Sequence, residues 1–418
     1  MKNIIFFLKI SLNINDEMKE YLINFYRKFF IIKNVILLII IFLLFRLLKN
    51  NKLYQLKKEI KLYKKYIADC QKFKNFNKII INKNPYLSII IPTYNMEKYI
   101  ERALSSILNQ SFQDFEIIII NDYSNDNTKN IIKKFSFFLN KIKIVEHKKN
   151  LGIYASRIDG VLYSNGKYIL YVDPDDAILN PNLFQKIYDY NFRYNLDIIE
   201  FIVYHVEEGK HCIYIPKDHT LNHFHNFSEK IIYQPKLSNL LFFNPKENNY
   251  SDIICRSIWN KMIKKNILLK TINFLENYIY KNKYFNFAED TIINIINFQF
   301  ANNYSNLNLP GYLYNIRKKS ISHGNFGKNH DIMISRNFFL YLKLFYKYIK
   351  YFNKDRNYLF YEIKQFNYYL IQLNNFNITK DIKGLRNYFS DIMNDKKISK
   401  EFHKLLLNLI NIINRKKD

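Results

Sequence analysis

Two runs of apolar residues, Leu87 to Ile91 and Glu116 to Ile120, stand one helix apart, and that spacing leaves this chain few ways to fold. Pro92 ends the first run, and Tyr99, Ala103, Leu104, Ile107 and Leu108 then recur at helical spacing. Continuous apolar runs belong to strands buried on both faces, so the pair reads as parallel strands joined through a helix in a right-handed βαβ unit. A further helix and the short strand Ile142 to Val145 follow. Gly152 permits a turn into a helix that carries Arg157, and the apolar run Tyr168 to Val172 closes the series.

That last strand lies in KYILYVDPDDAILNP and delivers Asp173, Asp175 and Asp176 to its carboxyl end, where open α/β sheets place their ligands. An acidic turn that caps the next helix accounts for such a cluster in structural terms. Its functional reading is a divalent cation. Hard oxygen ligands with room left for phosphate oxygens suit manganese or magnesium.

The segment from about Leu87 to Asn182 resembles the nucleotide-binding half of a family 2 glycosyltransferase, on the motifs SIIIPTYN, IIINDYSNDNT, NLGIYASRIDG and the DxD-type VDPDD, which occur in the family's order. The resemblance implies an α/β chain with the GT-A fold, a Rossmann-like mixed or parallel sheet flanked by helices. It also implies inverting transfer of a sugar from a UDP or GDP sugar to an acceptor hydroxyl on a glycan, lipid or protein. Carried over by position, Pro92, Thr93, Tyr94 and Asn95 line the nucleoside pocket and Asp122 accepts a hydrogen bond from the base. Arg157 lies near the base or phosphates, Asp173 near the ribose or metal, and Asp175 on the metal that grips the diphosphate. The family more often has two acids where this chain has Asn121 and Asp122, and a Gly where it has Tyr123.

The chemistry asks for one more acid. A departing diphosphate gathers negative charge that a cation neutralises, while the attacking hydroxyl must lose its proton to a general base. FAED, ahead of the amphipathic TIINIINFQF, offers Glu289 and Asp290. An acidic pair at a helix start also complements the helix dipole. By resemblance Asp290 is the base and Glu289 its neighbour on the substrate side. SIWNKMIKKN resembles the segment before the family's acceptor helix and makes Trp259 a packing or acceptor-side aromatic. YLYNIRKKSISH resembles a tyrosine-rich strand followed by Arg317, Lys318 and Lys319, a basic lid for the diphosphate.

A formal charge of +28 with 17% aromatic residues would ordinarily suggest nucleic acid. The lysines are spread along the whole length without a basic stripe or any nucleic-acid-binding signature, so no nucleic-acid partner is expected. Phe29 to Leu48 is long enough to span a bilayer if Lys33 and Arg46 snorkel, which predicts a single-pass membrane protein, endomembrane (ER or Golgi) in a eukaryote. Positive charge flanks both ends of that span and leaves orientation open. Cys70, Cys212 and Cys255 match no zinc spacing, and His211, His219, His223 and His225 sit in an insertion-like stretch with nothing to fix a ligand geometry.

The expected organisation is a tail (1–28), a transmembrane signal anchor (29–48), a lysine-rich stalk (49–84), a catalytic domain (85–325, nucleotide half 85–182 and acceptor half 183–325) and a helical C-terminal extension (326–418). Two other functions share parts of this pattern. A nucleotidyltransferase needs a Gly-rich basic loop after the first strand, where this chain has IPTYNMEKYI. An inactive scaffold relative would have no need of Asp122, Asp173, Asp175 and Asp290 together.

Overall fold

The computed structural model describes residues 82–138, 141–207, 213–214, 229–234, 243–244, 249–250, 257–279, 285–286, 288–317 and 328–352, with a few isolated positions beyond. All belong to the compact unit Ile67–Asp418. The expected span 29–48, most of the stalk, the three cysteines, the four histidines of the insertion-like stretch, Lys318 and Lys319 fall outside the described residues. Among the described residues, no helix is long and apolar enough to cross a membrane.

The chain alternates strand and helix through β1 (Leu87–Thr93), α1 (Ile100–Leu108), β2 (Phe115–Asn121), α2 (Thr128–Phe138), β3 (Ile142–Glu146), α3 (Ile153–Tyr163) and β4 (Tyr168–Tyr171). A two-residue β5 (Ala177–Ile178), α4 (Leu183–Tyr194) and β6 (Ile198–Glu207) follow. Four short strands come next: β7 (Ile213–Tyr214), β8 (Ile232–Tyr233), β9 (Phe243–Asn244) and β10 (Asn249–Tyr250). The last described elements are β11 (Lys261–Lys264), α5 (Lys265–Ile279), α6 (Glu289–Phe300), β12 (Asn303–Ile316) and α7 (Lys328–Tyr351).

Ten strands form one mixed sheet in the order β3-β2-β1-β4-β11-β6-β12-β5, with β7 beside β6 and β8 beside β12. The first four of that order are parallel, as the repeated helix crossovers require. β11 then runs antiparallel between β4 and β6, while β12 is parallel to β6. One sheet therefore serves both expected halves of the catalytic domain.

Alternation along the strands divides the core. Ile89, Ile91, Ile117 and Ile119 face α1 and α4, whereas Ile90, Ile118 and Ile120 face α3 and the cluster shared with α5, α6 and α7. At roughly 1.5–3 kcal/mol for each fully buried aliphatic side chain, this two-sided burial is why β1 and β2 are buried along their whole length. Helix α3 lies so close to the sheet that a Cβ on Gly160 would meet Ile90 Cγ2 at 2.3 Å. Pro310 cannot donate to the sheet ladder, and the β6–β12 register shifts on either side of it. Beyond that irregularity Tyr312 pairs with Ile178, which brings the end of β12 alongside the acidic turn after β4.

Candidate active site

The loops at the carboxyl ends of β1 and β2 are sewn together. Asn95 N–H donates to Ser124 Oγ (3.0 Å), Asn125 N–H to Asn95 Oδ1 (2.9 Å) and Met96 N–H to Thr128 Oγ1 (2.7 Å). Asn95 and Tyr123 both adopt positive φ, and the Tyr94 and Tyr123 rings stay exposed, as aromatic surfaces open to a ligand should. Thr93 is buried and turns its hydroxyl back to the Ile91 carbonyl.

Asp122 is buried and heavily engaged by its own chain. It accepts from the backbone N–H groups of Leu151 and Gly152 (both 2.7 Å) and lies 2.7 Å from His147 Nδ1. The other ring nitrogen of His147 meets Asp159 at 2.9 Å. Hydrogen bonds to these two carboxylates raise the imidazole pKa to about 9. Asp122 thus fixes the loop that enters α3, and Gly152 takes φ +89° there, close to Asn286, whose Oδ1 accepts from Ile153 N–H (3.0 Å).

Arg157, expected near base or phosphates, lies between the acidic turn after β4 and the start of α6. Its guanidinium is buried and bridges the two acidic clusters, donating to Asp173 (3.2 Å) and to Glu289 (2.6 Å). The reason is electrostatic. A fully buried cation requires paired charge, and these carboxylates supply it from the end of β4 and the start of α6.

Each acid of the VDPDD turn has its own partner. Asp176 is fully buried, accepting from Tyr312 Oη (2.8 Å) and Asn315 N–H (2.8 Å), and burial followed by repulsion from Asp175 and Asp173 pushes its pKa well up. Tyr312 Oη also accepts from the N–H of Asp173 (2.9 Å). Asp175 is held by Arg317 Nε at 2.5 Å, with its backbone carbonyl bound by Arg102. Burial raises the Asp175 pKa, Arg317 opposes the rise and Asp173 adds to it.

On the opposite wall, Glu289 is buried and its pKa is pushed up to about 7, by burial first, against the attraction of Arg157. Asp290 is half-buried, accepts from Thr291 N–H (2.8 Å), and is likewise raised by burial. Behind them the WNK segment is largely structural. Lys261 and Asn260 answer the buried Glu200 at 3.5 and 3.0 Å, and Tyr304 Oη donates to the same carboxylate (2.9 Å). Trp259 stacks on Tyr312 (4.7 Å between ring centres) and on Tyr314 (5.3 Å).

Among the described residues no three acid, His or Cys side chains are arranged to enclose a metal ion. The donor set still fits one held partly by the chain: Asp175 and Asp173 are hard oxygen ligands, each with part of its side chain open to solvent. Repulsion among the acids is the strain a cation would relieve.

A family model described as glycosyl transferase family 2 matches residues 88–270. Residues 88–270 belong to glycosyltransferase family 2. The chain is 41% identical over 106 residues to an uncharacterized glycosyltransferase of Haemophilus influenzae, covering 25% of this chain and 32% of that protein. Glycosyltransferase GlyA of Streptococcus pneumoniae is 28% identical over 236 residues, covering 56% of this chain and 31% of that protein. The chain thus spans about a third of the length of these curated relatives. A crystal structure of S. aureus TarS 1–349 in complex with UDP covers 78% of this chain and 87% of its own at 18% identity, with a TM-score of 0.47.

The fold gathers Asp173, Asp175, Arg157, Glu289, Asp290 and Arg317 at one end of the sheet. Four supporting residues were not picked out in the sequence: Arg102 binds the Asp175 carbonyl, Tyr312 and Asn315 hold Asp176, and His147 holds Asp122. Tyr312 and Asn315 lie in the tyrosine-rich strand that the sequence does mark. His147 had a faint signal in its position five residues before Gly152.

Proposed function

We propose that this chain is an inverting, metal-dependent glycosyltransferase that moves a sugar from a nucleotide-diphospho-sugar to an acceptor hydroxyl. One observation carries the reading: the acids after β4 and the acids at the start of α6, more than a hundred residues apart, converge on the single buried guanidinium of Arg157. A donor held at the first group therefore lies beside a base in the second. Family membership of residues 88–270 supports the same chemistry.

In this reading Tyr94 and the β1–β2 loops receive the nucleoside and Asp122 sets the loop around it. Asp175, with Asp173 beside it, would hold manganese or magnesium, which when bound supplies positive charge to the departing diphosphate. Asp290 takes the proton of the acceptor hydroxyl as its oxygen attacks the anomeric carbon from the side opposite the phosphate. The bond to the phosphate oxygen breaks, the diphosphate leaves with the electron pair, and the configuration inverts. Trp259 flanks the acceptor, and Glu289 and Arg157 keep the base oriented. The span 29–48 would hold the chain to a membrane.

The test is a screen of UDP and GDP sugars for manganese-dependent release of nucleoside diphosphate by the full chain. One donor should be turned over and Asp175→Ala should abolish its binding. Turnover of none, or full binding by Asp175→Ala, would overturn the reading.

A further inference from the structure

The acids of the VDPDD turn are all answered without a metal. Asp176 is satisfied by Tyr312 and Asn315, Asp173 by Arg157, and Asp175 by Arg317. A cation that takes the carboxylate oxygen now paired with an arginine must displace that arginine. Arg157 is buried and also tied to Glu289, so it cannot leave cheaply. Arg317 is the partner able to move. Its side chain is partly exposed, it sits just past the end of β12, and its guanidinium rests 4.9 Å from the centre of the Tyr99 ring.

We propose that Arg317 is a resident substitute for the metal: it occupies the Asp175 carboxylate until a metal and a diphosphate arrive together, which makes metal binding contingent on the nucleotide. The inference rests on the metal reading above. Metal alone would have to break the Arg317–Asp175 pair and leave the guanidinium facing a new positive charge. With a diphosphate present, the displaced guanidinium gains a doubly charged oxygen partner that its planar fork fits. The site would then reject free metal ions and close around the metal only when the leaving group is there. Arg102, bound to the Asp175 carbonyl, keeps the turn in place while the side-chain partner changes.

The experiment is equilibrium dialysis of the full chain with manganese, alone and with inorganic pyrophosphate, counting the metal that the protein retains. The wild type should hold manganese at least fivefold more tightly with pyrophosphate than without, the scale of an ordinary coupling between two ligands. Arg317→Gln should bind manganese alone about tenfold more tightly than the wild type and lose most of that coupling. Arg317→Lys keeps the competing charge and should remain weak for manganese alone. If Arg317→Gln holds manganese alone no more tightly than a wild type that responds to pyrophosphate, the substitute role is overturned and the metal reading stands. If the wild type retains no manganese under either condition, the metal reading falls and takes this inference with it.

Discussion

At the scale of single residues, the site is a ledger of buried charge, and the partners that balance it come from far away in sequence. Asp122 is answered by Leu151, Gly152 and His147, and Arg157 by Glu289. This is why the sequence showed which residue types gather here but not the partner that Arg157 takes. Its Glu289 partner lies 132 residues on, and no local pattern records that pairing. His147 gives a prediction with a definite sign. Its folded pKa of about 9 lies above the ordinary value of 6.5, so its stabilisation is complete below pH 6.5 and is lost as pH rises through 9. His147→Phe should cost on the order of 3 kcal/mol at pH 6 and far less at pH 10, measured by urea unfolding at both. A cost independent of pH would mean that the imidazole is not held as a cation.

Among the elements, the nucleotide half was the most legible. Strands buried on both faces read as uninterrupted apolar runs, so β1, β2 and β4 stood out, and α1 was marked by its helical spacing. The ordering β4-β11-β6-β12 was not legible, because it depends on which edges the crossovers leave open, and Pro310 hides the length of β12 behind a register shift. Contact between α3 and β1 is testable on its own terms. With no room for a Cβ beside Ile90 Cγ2, Gly160→Ala should destabilise by about 1–3 kcal/mol, and by less in an Ile90→Ala background that lacks that methyl. Thermal unfolding of the two variants gives the comparison; additive losses would show that the two side chains do not compete for the same space.

For the whole molecule, the acids after β4 and the acids at the start of α6 meet at one end of the sheet, where a single buried arginine joins them. The N-terminal span makes a separate claim, read from Val35 to Phe45 and their apolar neighbours. If residues 29–48 cross a bilayer, the full chain should remain with membranes through a carbonate wash, and its complete extraction would sink the spanning assignment. The central claim is that Asp290 removes the acceptor's proton during sugar transfer. Once the donor is known, transfer and nucleotide affinity should be measured on the same preparations of wild type and Asp290→Asn, a change that keeps size and removes basicity. The account predicts that transfer falls by about two to four orders of magnitude while nucleotide affinity is unchanged; near wild-type transfer by Asp290→Asn would contradict it.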